Sequence, residues 1–451
     1  MAIILQAHLF SWENVKAESD LKRLSYVLGA LPDEKLMQRL EARRGRGRDD
    51  YAVRPTWNSL LAGVLFEHKT IESLRRELCR NGELRQACGF DPARGHAAVP
   101  TARAYTNLLQ SLMECYDEVE AMLDRLVDRL AKLLPDFGAR LAVDSKAIAS
   151  FAKKKNKKRS PDGRRDLDAD WGKKEYRGTN EDGTAWSKTV KWFGYKLHLI
   201  VDSTYELPVG FCVTPASASD QKQLLPLLAK LKQNHPELVE RTEYTSADRG
   251  YDSKEHNRKL YDTYGAKPII GIRHMWKDGE TTRPLYTDRA DSIVYDEDGT
   301  IFCVCPTSGQ RREMAYCGFE ADRGTLKYRC PAAAYGLQCA GRSICAPRKS
   351  DYGRVVRVPI ELDRRLFVPL PRSSYAWQRE YYKRTAVERV NSRLDVSFGF
   401  ELHTIRGKKK MHLRAGLALV VMLSLAVGAI EAGHKAQMRS LVRCLPKRAV
   451  A

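Results

Sequence analysis

Between residues 139 and 272 the order of apolar runs admits few folds. Arg140-Leu141-Ala142-Val143-Asp144-Ser145 is a short apolar run ending in a carboxylate. Apolar runs recur at 195–202 and 207–214, the second entered through Glu206-Leu207-Pro208 beside a tight turn. Residues 220–231 carry helical spacing. Glu243-Tyr244-Thr245-Ser246-Ala247-Asp248 is another run ending in a carboxylate, 253–264 is helical again, and 267–272 closes the set. The order is strand, strand, strand, helix, strand, helix, strand. Strands joined by short turns predict an antiparallel meander, and strands joined through helices predict parallel crossovers. A mixed five-stranded sheet covered by helices meets both demands.

That order is the order of an RNase H-like fold, in which the first and fourth strands are central neighbours. Asp144 and Asp248 then stand side by side. Adjacent carboxylates repel unless a positive charge lies between them, and a hard divalent cation answers that need. Glu388 is the third candidate. It lies in Tyr381-Tyr382-Lys383-Arg384-Thr385-Ala386-Val387-Glu388-Arg389-Val390-Asn391-Ser392-Arg393-Leu394, a stretch without Gly or Pro that predicts one helix. At helical spacing Tyr381, Arg384 and Glu388 share a face. Each carboxylate also has an ordinary reading. Asp144 is placed to cap a helix over 145–152, Asp248 to cap a turn before Gly250, and Glu388 to pair with Arg384.

The remaining chain divides by pattern. Residues 1–135 read as all-helical, with apolar spacing at Leu21, Leu24, Leu28 and Leu31 and at Leu60, Leu61, Val64 and Leu65, and with Thr70 as an N-cap; spacing alone allows either a DNA-binding domain or an ordinary helical bundle with a solvated basic face. Residues 112–135 read as one amphipathic helix. The first part of the catalytic core spans 139–274. Within it, the polar stretch from Lys153 to Lys191 reads as a flexible loop in which Lys153, Lys154 and Lys155 are candidate phosphate contacts. Residues 275–370 form a Cys-rich β insertion, 371–435 return to the core, and 436–451 are a basic tail. Lys408, Lys409 and Lys410 sit in a basic loop suited to DNA. The apolar run from Ala415 to Ile430 falls short of the roughly 18–20 residues a membrane span needs, so 412–432 reads as a buried helix, with a membrane role as the alternative. The whole chain is therefore α+β.

Charge and cysteine usage narrow the partners. Lys and Arg number 77 against 56 Asp and Glu, a net charge of +21 over 451 residues. A polyanion is the expected partner, nucleic acid first and an anionic membrane surface second. The N-terminus lacks the basic region of a secretory signal, so the expectation is a cytoplasmic protein with reduced thiols. Six of the eleven Cys fall in the insertion. Cys303, Cys305, Cys330, Cys339 and Cys345 are candidate zinc ligands there, although a C-x-C pair is an imperfect match to the usual C-x2-C knuckle.

The motifs together resemble the DDE transposases of bacterial insertion sequences, in the insertion-sequence-four superfamily and its eleven-eighty-two-like branch. The resemblance rests on Leu141-Ala142-Val143-Asp144-Ser145-Lys146, Gly194-Tyr195-Lys196-Leu197-His198, Ala247-Asp248-Arg249-Gly250-Tyr251-Asp252 and Arg384-Thr385-Ala386-Val387-Glu388-Arg389, with Ile71-Glu72-Ser73-Leu74-Arg75-Arg76-Glu77-Leu78 near the N-terminus. It implies that Asp144, Asp248 and Glu388 hold two Mg²⁺ or Mn²⁺ ions. It implies double-stranded DNA as substrate and a homodimer in a synaptic complex, with no membrane. The family signature Tyr-x2-Arg-x3-Glu-x6-Lys is met by Tyr381, Arg384 and Glu388, the first two then contacting DNA. Its Lys position is Asp395, a reversal of charge. Lys408, Lys409 or Lys410 is the expected replacement. The contrasting expectation is a DNA-binding repressor or domesticated transposase with an inactive core.

Overall fold

The structure is a computed structural model that describes residues 21–45, 50–152, 165–288, 291–345 and 351–439. Lys153, Lys154 and Lys155, and the basic tail from 440 onward, lie outside the described residues. Among the described residues, seven α-helices precede the sheet: α1 (Leu21–Ala30), α2 (Glu34–Arg44), α3 (Val53–Leu65), α4 (Ile71–Arg80), α5 (Gly82–Cys88), α6 (Ala102–Glu114) and α7 (Tyr116–Leu133). Thr70 caps α4 as expected. Its hydroxyl accepts from the Ser73 amide at 3.1 Å while the Ser73 hydroxyl accepts from the Thr70 amide at 3.2 Å. The helix predicted over 112–135 is instead divided at Cys115. Asp117 and Glu118 follow the break, where acidic side chains favour a fresh helix N-terminus.

The sheet begins with β1 (Arg140–Ala149), β2 (Asp170–Thr179), β3 (Ala185–Asp202) and β4 (Leu207–Pro215). Helices α8 (Leu224–Asn234) and α9 (Pro236–Glu240) lead to β5 (Tyr244–Ala247), and α10 (Lys254–Asp262) leads to β6 (Lys267–Ile270). The order is β2-β3-β1-β5-β6, with β4 on the free side of β3. β1 runs antiparallel to β3 and parallel to β5, so the sheet is mixed and β1 lies at its centre. Leu141, Ala142 and Val143 are buried, as a strand covered on both faces requires.

One correction concerns strand number. The sheet has six strands rather than five, because much of the stretch read as a polar loop is ordered. β2 pairs with the first half of β3 from Asp170↔Gly194 to Thr179↔Ala185, forming a two-stranded ribbon. The ribbon is exposed on both sides, which erases the apolar alternation that marks a half-buried strand. It is held partly by cross-strand aromatic cover. A Cβ at Gly172 would collide with Trp192, and one at Gly178 with Trp186. At Gly194 the ribbon leaves the core. A Cβ there would stand 2.1 Å from the Ile148 carbonyl oxygen, so β3 can cross β1 this closely only without a side chain.

The insertion builds two small sheets. β7 (Arg283–Pro284), β8 (Ile293–Tyr295), β9 (Ile301–Val304) and β10 (Arg311–Glu313) form one. The other contains β11 (Ala315–Glu320), β12 (Thr325–Arg329) and, after short helices α11 (Pro331–Tyr335) and α12 (Arg342–Cys345), β13 (Val355–Pro359). They share an apolar cluster that includes Ile293, Ile301, Leu326, Tyr328 and Val358. Arginines fasten this unit to the main sheet. Arg365 Nε donates to Asp252 Oδ2 at 2.9 Å, and the buried Arg372 guanidinium donates to the carbonyls of Ile270, Leu366 and Arg365 at 3.0–3.1 Å.

The chain then forms α13 (Tyr375–Tyr382), a tight 3-10 turn at Lys383–Thr385, α14 (Ala386–Phe398) and α15 (Lys408–Glu431). The single helix predicted through 381–394 is thus interrupted before Glu388. α15 is long and apolar enough to cross a membrane, yet 89% of its most apolar window is buried. It packs against α7, α1, β4 and α3. That placement explains the absence of a polar face, and one apolar core runs from Leu24 in α1 through the sheet to α15.

Candidate active site

The register of two strands brings the first two carboxylates together. Val143 on β1 is the parallel partner of Ala247 on β5, and Asp144 and Asp248 are the next residues on each. Neighbouring strands lie about 4.8 Å apart, so the two side chains leave adjacent positions. β1 continues to Ala149, which removes the reading of Asp144 as the cap of a helix. Burial pushes the Asp144 carboxyl up to about 6, the nearby negative charge of Asp248 adding to that and the Ser145 amide opposing it. Asp248 does cap the following turn, accepting from the Gly250 amide at 2.7 Å. Capping and a site role are compatible, because a carboxylate has two oxygens.

Glu388 enters from α14, which packs on β1 and β3. Its ordinary pairing is also present: Arg384 Nη1 donates to Glu388 Oε1 at 3.0 Å. Arg384 is the positive charge shared by the group. Burial works against its charge, but Tyr381, Glu388 and Asp144 outweigh that and raise its pKa. The 3-10 turn does not scatter the predicted face. The Arg384 guanidinium lies 5.5 Å from the Tyr381 ring centroid. Trp377 stacks on Tyr381 at 4.7 Å with 13° between the ring planes, which holds the phenol beside Gly271 at the end of β6.

The exposed ribbon leans over this site. The charge of Lys174 on β2 is felt by Asp144. Gly178, Thr179, Ala185, Trp186 and Ser187 at the ribbon tip share an open cleft of about 820 Å³ with Arg249, the residue after Asp248. Sequence reading gave no role to Trp186 or Lys174, because nothing local ties residues 170–190 to the carboxylates.

Lys408, Lys409 and Lys410 are exposed but sit elsewhere. They form the first turn of α15, where the Lys408 and Gly407 amides donate to Asp168 and Asp166 at 2.9 and 2.8 Å. Asp166 also accepts from Tyr195, the β3 partner of Ile148, four residues along β1 from Asp144. The cation facing Asp395 is instead Lys146, whose Nζ lies 2.5 Å from Asp395 Oδ2. Its signal in the sequence was its spacing, two residues beyond Asp144 on a strand and therefore on the same face.

Cys303, Cys305, Cys330, Cys339 and Cys345 line one cavity of about 40 Å³ in the insertion. Hydrogen bonds from the Ser308 hydroxyl and from the Ser308, Thr307 and Gly341 amides hold the Cys305 thiol down at about 6, whereas burial pushes Cys303 up to about 11. Among the described residues, no three His, Cys, Asp or Glu side chains are disposed to hold an ion, at either place. The chemistry of the donor sets differs. Asp144, Asp248 and Glu388 carry hard carboxylate oxygens, the donor type that Mg²⁺ or Mn²⁺ takes, and Arg384 is the positive charge beside Asp144 and Glu388. The five thiols are soft donors, the type that zinc takes.

A transposase DDE domain family matches residues 139–424, more than half of the chain. An 85-residue stretch is 36% identical to a putative transposase for insertion sequence element IS402 of Burkholderia cepacia, covering 18% of this chain and 38% of that protein. The chain thus matches well under two thirds of that relative's length. Among solved structures, the cryo-EM synaptic complex of piggyBac transposase with hairpin DNA aligns over 94% of this chain and 80% of its own, at 10% identity and a TM-score of 0.37. The match across the whole region that carries Asp144, Asp248 and Glu388 places the family beyond resemblance: this chain belongs to the transposase DDE domain family.

Proposed function

We propose that the protein binds the terminal inverted repeats of its own element, cleaves the DNA there, and joins the freed 3′-OH to target DNA, working as a homodimer in a synaptic complex. The observation that carries this reading is the Val143↔Ala247 register, which makes Asp144 and Asp248 neighbours under α14. The strand order β3-β1-β5-β6, with β4 outside β3, supports an RNase H-like core. Helices α1–α6 are the proposed end-binding domain, and the net charge of +21 suits that partner. The expected location is the bacterial cytoplasm, at the nucleoid.

Asp144, Asp248 and Glu388 would hold two divalent ions. Held by these three carboxylates, the ions would supply activation of the attacking oxygen and charge stabilisation of the leaving one. The protein side of the mechanism follows from the side chains. The planar fork of Arg384 can exchange Glu388 for a phosphate of the scissile strand, leaving the carboxylate unpaired. Tyr381, fixed by Trp377 and by its seat on Gly271, offers a hydroxyl to that strand. The ribbon tip and Arg249 line the open cleft beside Asp248, where they would contact DNA entering the site. Lys408, Lys409 and Lys410 lie too far along the sheet to serve the same phosphate and are assigned to flanking DNA. A zinc ion in the insertion would draw on the five clustered thiols, and zinc analysis of the purified protein decides that point.

A linear duplex bearing the element's ends tests the reading. Asp144→Ala, Asp248→Ala and Glu388→Ala should each reduce Mg²⁺-dependent cleavage by at least about a thousandfold while end binding persists. Full cleavage by any of the three overturns it. Binding without nicking by the wild-type protein would mark a repressor instead.

A further inference from the structure

We infer that the Lys146–Asp395 ion pair is a positioning device that sets Glu388 against Asp144. The inference rests on the reading of these carboxylates as the ion-holding set. Asp144 and Lys146 are two residues apart on β1 and share the face that meets α14. Glu388 and Asp395 are seven residues apart on α14, two turns, and return to the same face about 10 Å along the helix. Strand and helix run in the same sense. Arg384, just before α14, is felt by Asp144, and the far half of α14 meets Lys146.

The pair is built for register more than for stability. Lys146 Nζ lies 2.5 Å from Asp395 Oδ2 and 2.7 Å from Glu401 Oε1, and its side chain is only 10% exposed. Asp395 Oδ1 is buried without a hydrogen-bond partner, so the carboxylate is only half satisfied. A packed apolar pair of the same bulk would stabilise the junction about as well, whereas an ion pair with one acceptable alignment selects that alignment. Sliding α14 by one turn moves Glu388 by about 5.4 Å and breaks the pair. Shifting β1 by one residue turns Asp144 and Lys146 together to the opposite face. The bond therefore forms only in the register that sets Arg384, with Glu388 on its guanidinium, beside Asp144. It also neutralises Asp395 within the protein, so this position carries no role in holding DNA.

The test uses the full-length protein with Lys146→Asp, Asp395→Lys and the double swap. Mn²⁺ affinity is measured by electron paramagnetic resonance without DNA, alongside the Mg²⁺ requirement for end cleavage, end binding by gel shift, and melting temperature. Each single variant should lose Mn²⁺ affinity and raise the Mg²⁺ requirement by about tenfold or more, with end binding unchanged, and the swap should restore most of it. The double variant Lys146→Met with Asp395→Leu should melt like wild type yet show the same loss of Mn²⁺ affinity. Wild-type Mn²⁺ binding by that apolar pair, or failure of the swap to restore it, overturns the inference. So does cleavage raised above wild type by Asp395→Lys alone, which would make this a DNA-contact position. Failure of the underlying reading is separately visible, as cleavage by Glu388→Ala.

Discussion

The Tyr381 hydroxyl occupies the space a side chain at Gly271 would need: a Cβ built on that glycine would stand 2.8 Å from it and 3.3 Å from the Arg249 amide nitrogen. The end of β6 and the approach to α14 are thereby fitted to each other, beside the turn that follows Asp248.

Gly271→Ala should therefore leave the fold intact and damage the chemistry. Gly271 does not require a positive φ, so its backbone accepts alanine, the phenol has to move and the Arg249 amide has to give by a few tenths of an ångström. Displacement near 1 Å costs about a hundredfold in a positioned reaction, so end cleavage should fall by roughly that factor with little change in melting temperature. Tyr381→Phe alone should lower cleavage as well, and adding it to Gly271→Ala should cost little more in single-turnover assays, because the displaced hydroxyl is already out of place.

His235 couples stability to pH. Its Nδ1 lies 2.6 Å from Asp128 and its Nε2 3.1 Å from Asp124, joining α7 to the start of α9. Burial opposes the charged ring, but the hydrogen bonds and charges of the two carboxylates outweigh it, and the pKa is raised above its usual value. The folded state thus binds the proton more tightly than the unfolded chain. The stabilisation is full below about 6.5 and is lost as pH rises through the raised folded value. His235→Gln should destabilise by about 1–2 kcal/mol at pH 6, the carboxylates being partly solvated, and by less at pH 8.5. Denaturant unfolding at the two pH values measures the difference.

Arg372 secures the insertion to the sheet through three carbonyl acceptors at full burial. Burial pushes its guanidinium down to about 10, so it remains charged at neutral pH. Arg372→Met keeps much of the bulk but strands three acceptors, and should cost about 3 kcal/mol or more. Limited proteolysis should then open the chain first near residues 365–375, while Arg357→Ala, on an exposed pair with Glu320, should leave the melting temperature close to wild type.

The sequence by itself determined the element order of the core, the mixed sheet, the strands that bring in Asp144 and Asp248, and the face shared by Tyr381, Arg384 and Glu388, but not that β1 runs on past Asp144 to Ala149. Those features are written in local periodicity, because a side chain's burial on a strand or helix repeats every two or about 3.6 residues. Charge and cysteine clustering were legible for the same reason, being properties of composition. The ribbon over the site was not, because exposure on both faces leaves no periodic trace and its Trp–Gly contacts cross between strands. Only the tertiary structure decided which cation answers Asp395. Lys146 is 249 positions away in the chain, and the nearer Lys408, Lys409 and Lys410 are carried off by the start of α15. An ion pair of that kind depends on how β1 and α14 are stacked, and stacking is set by the whole core at once rather than by any stretch of it.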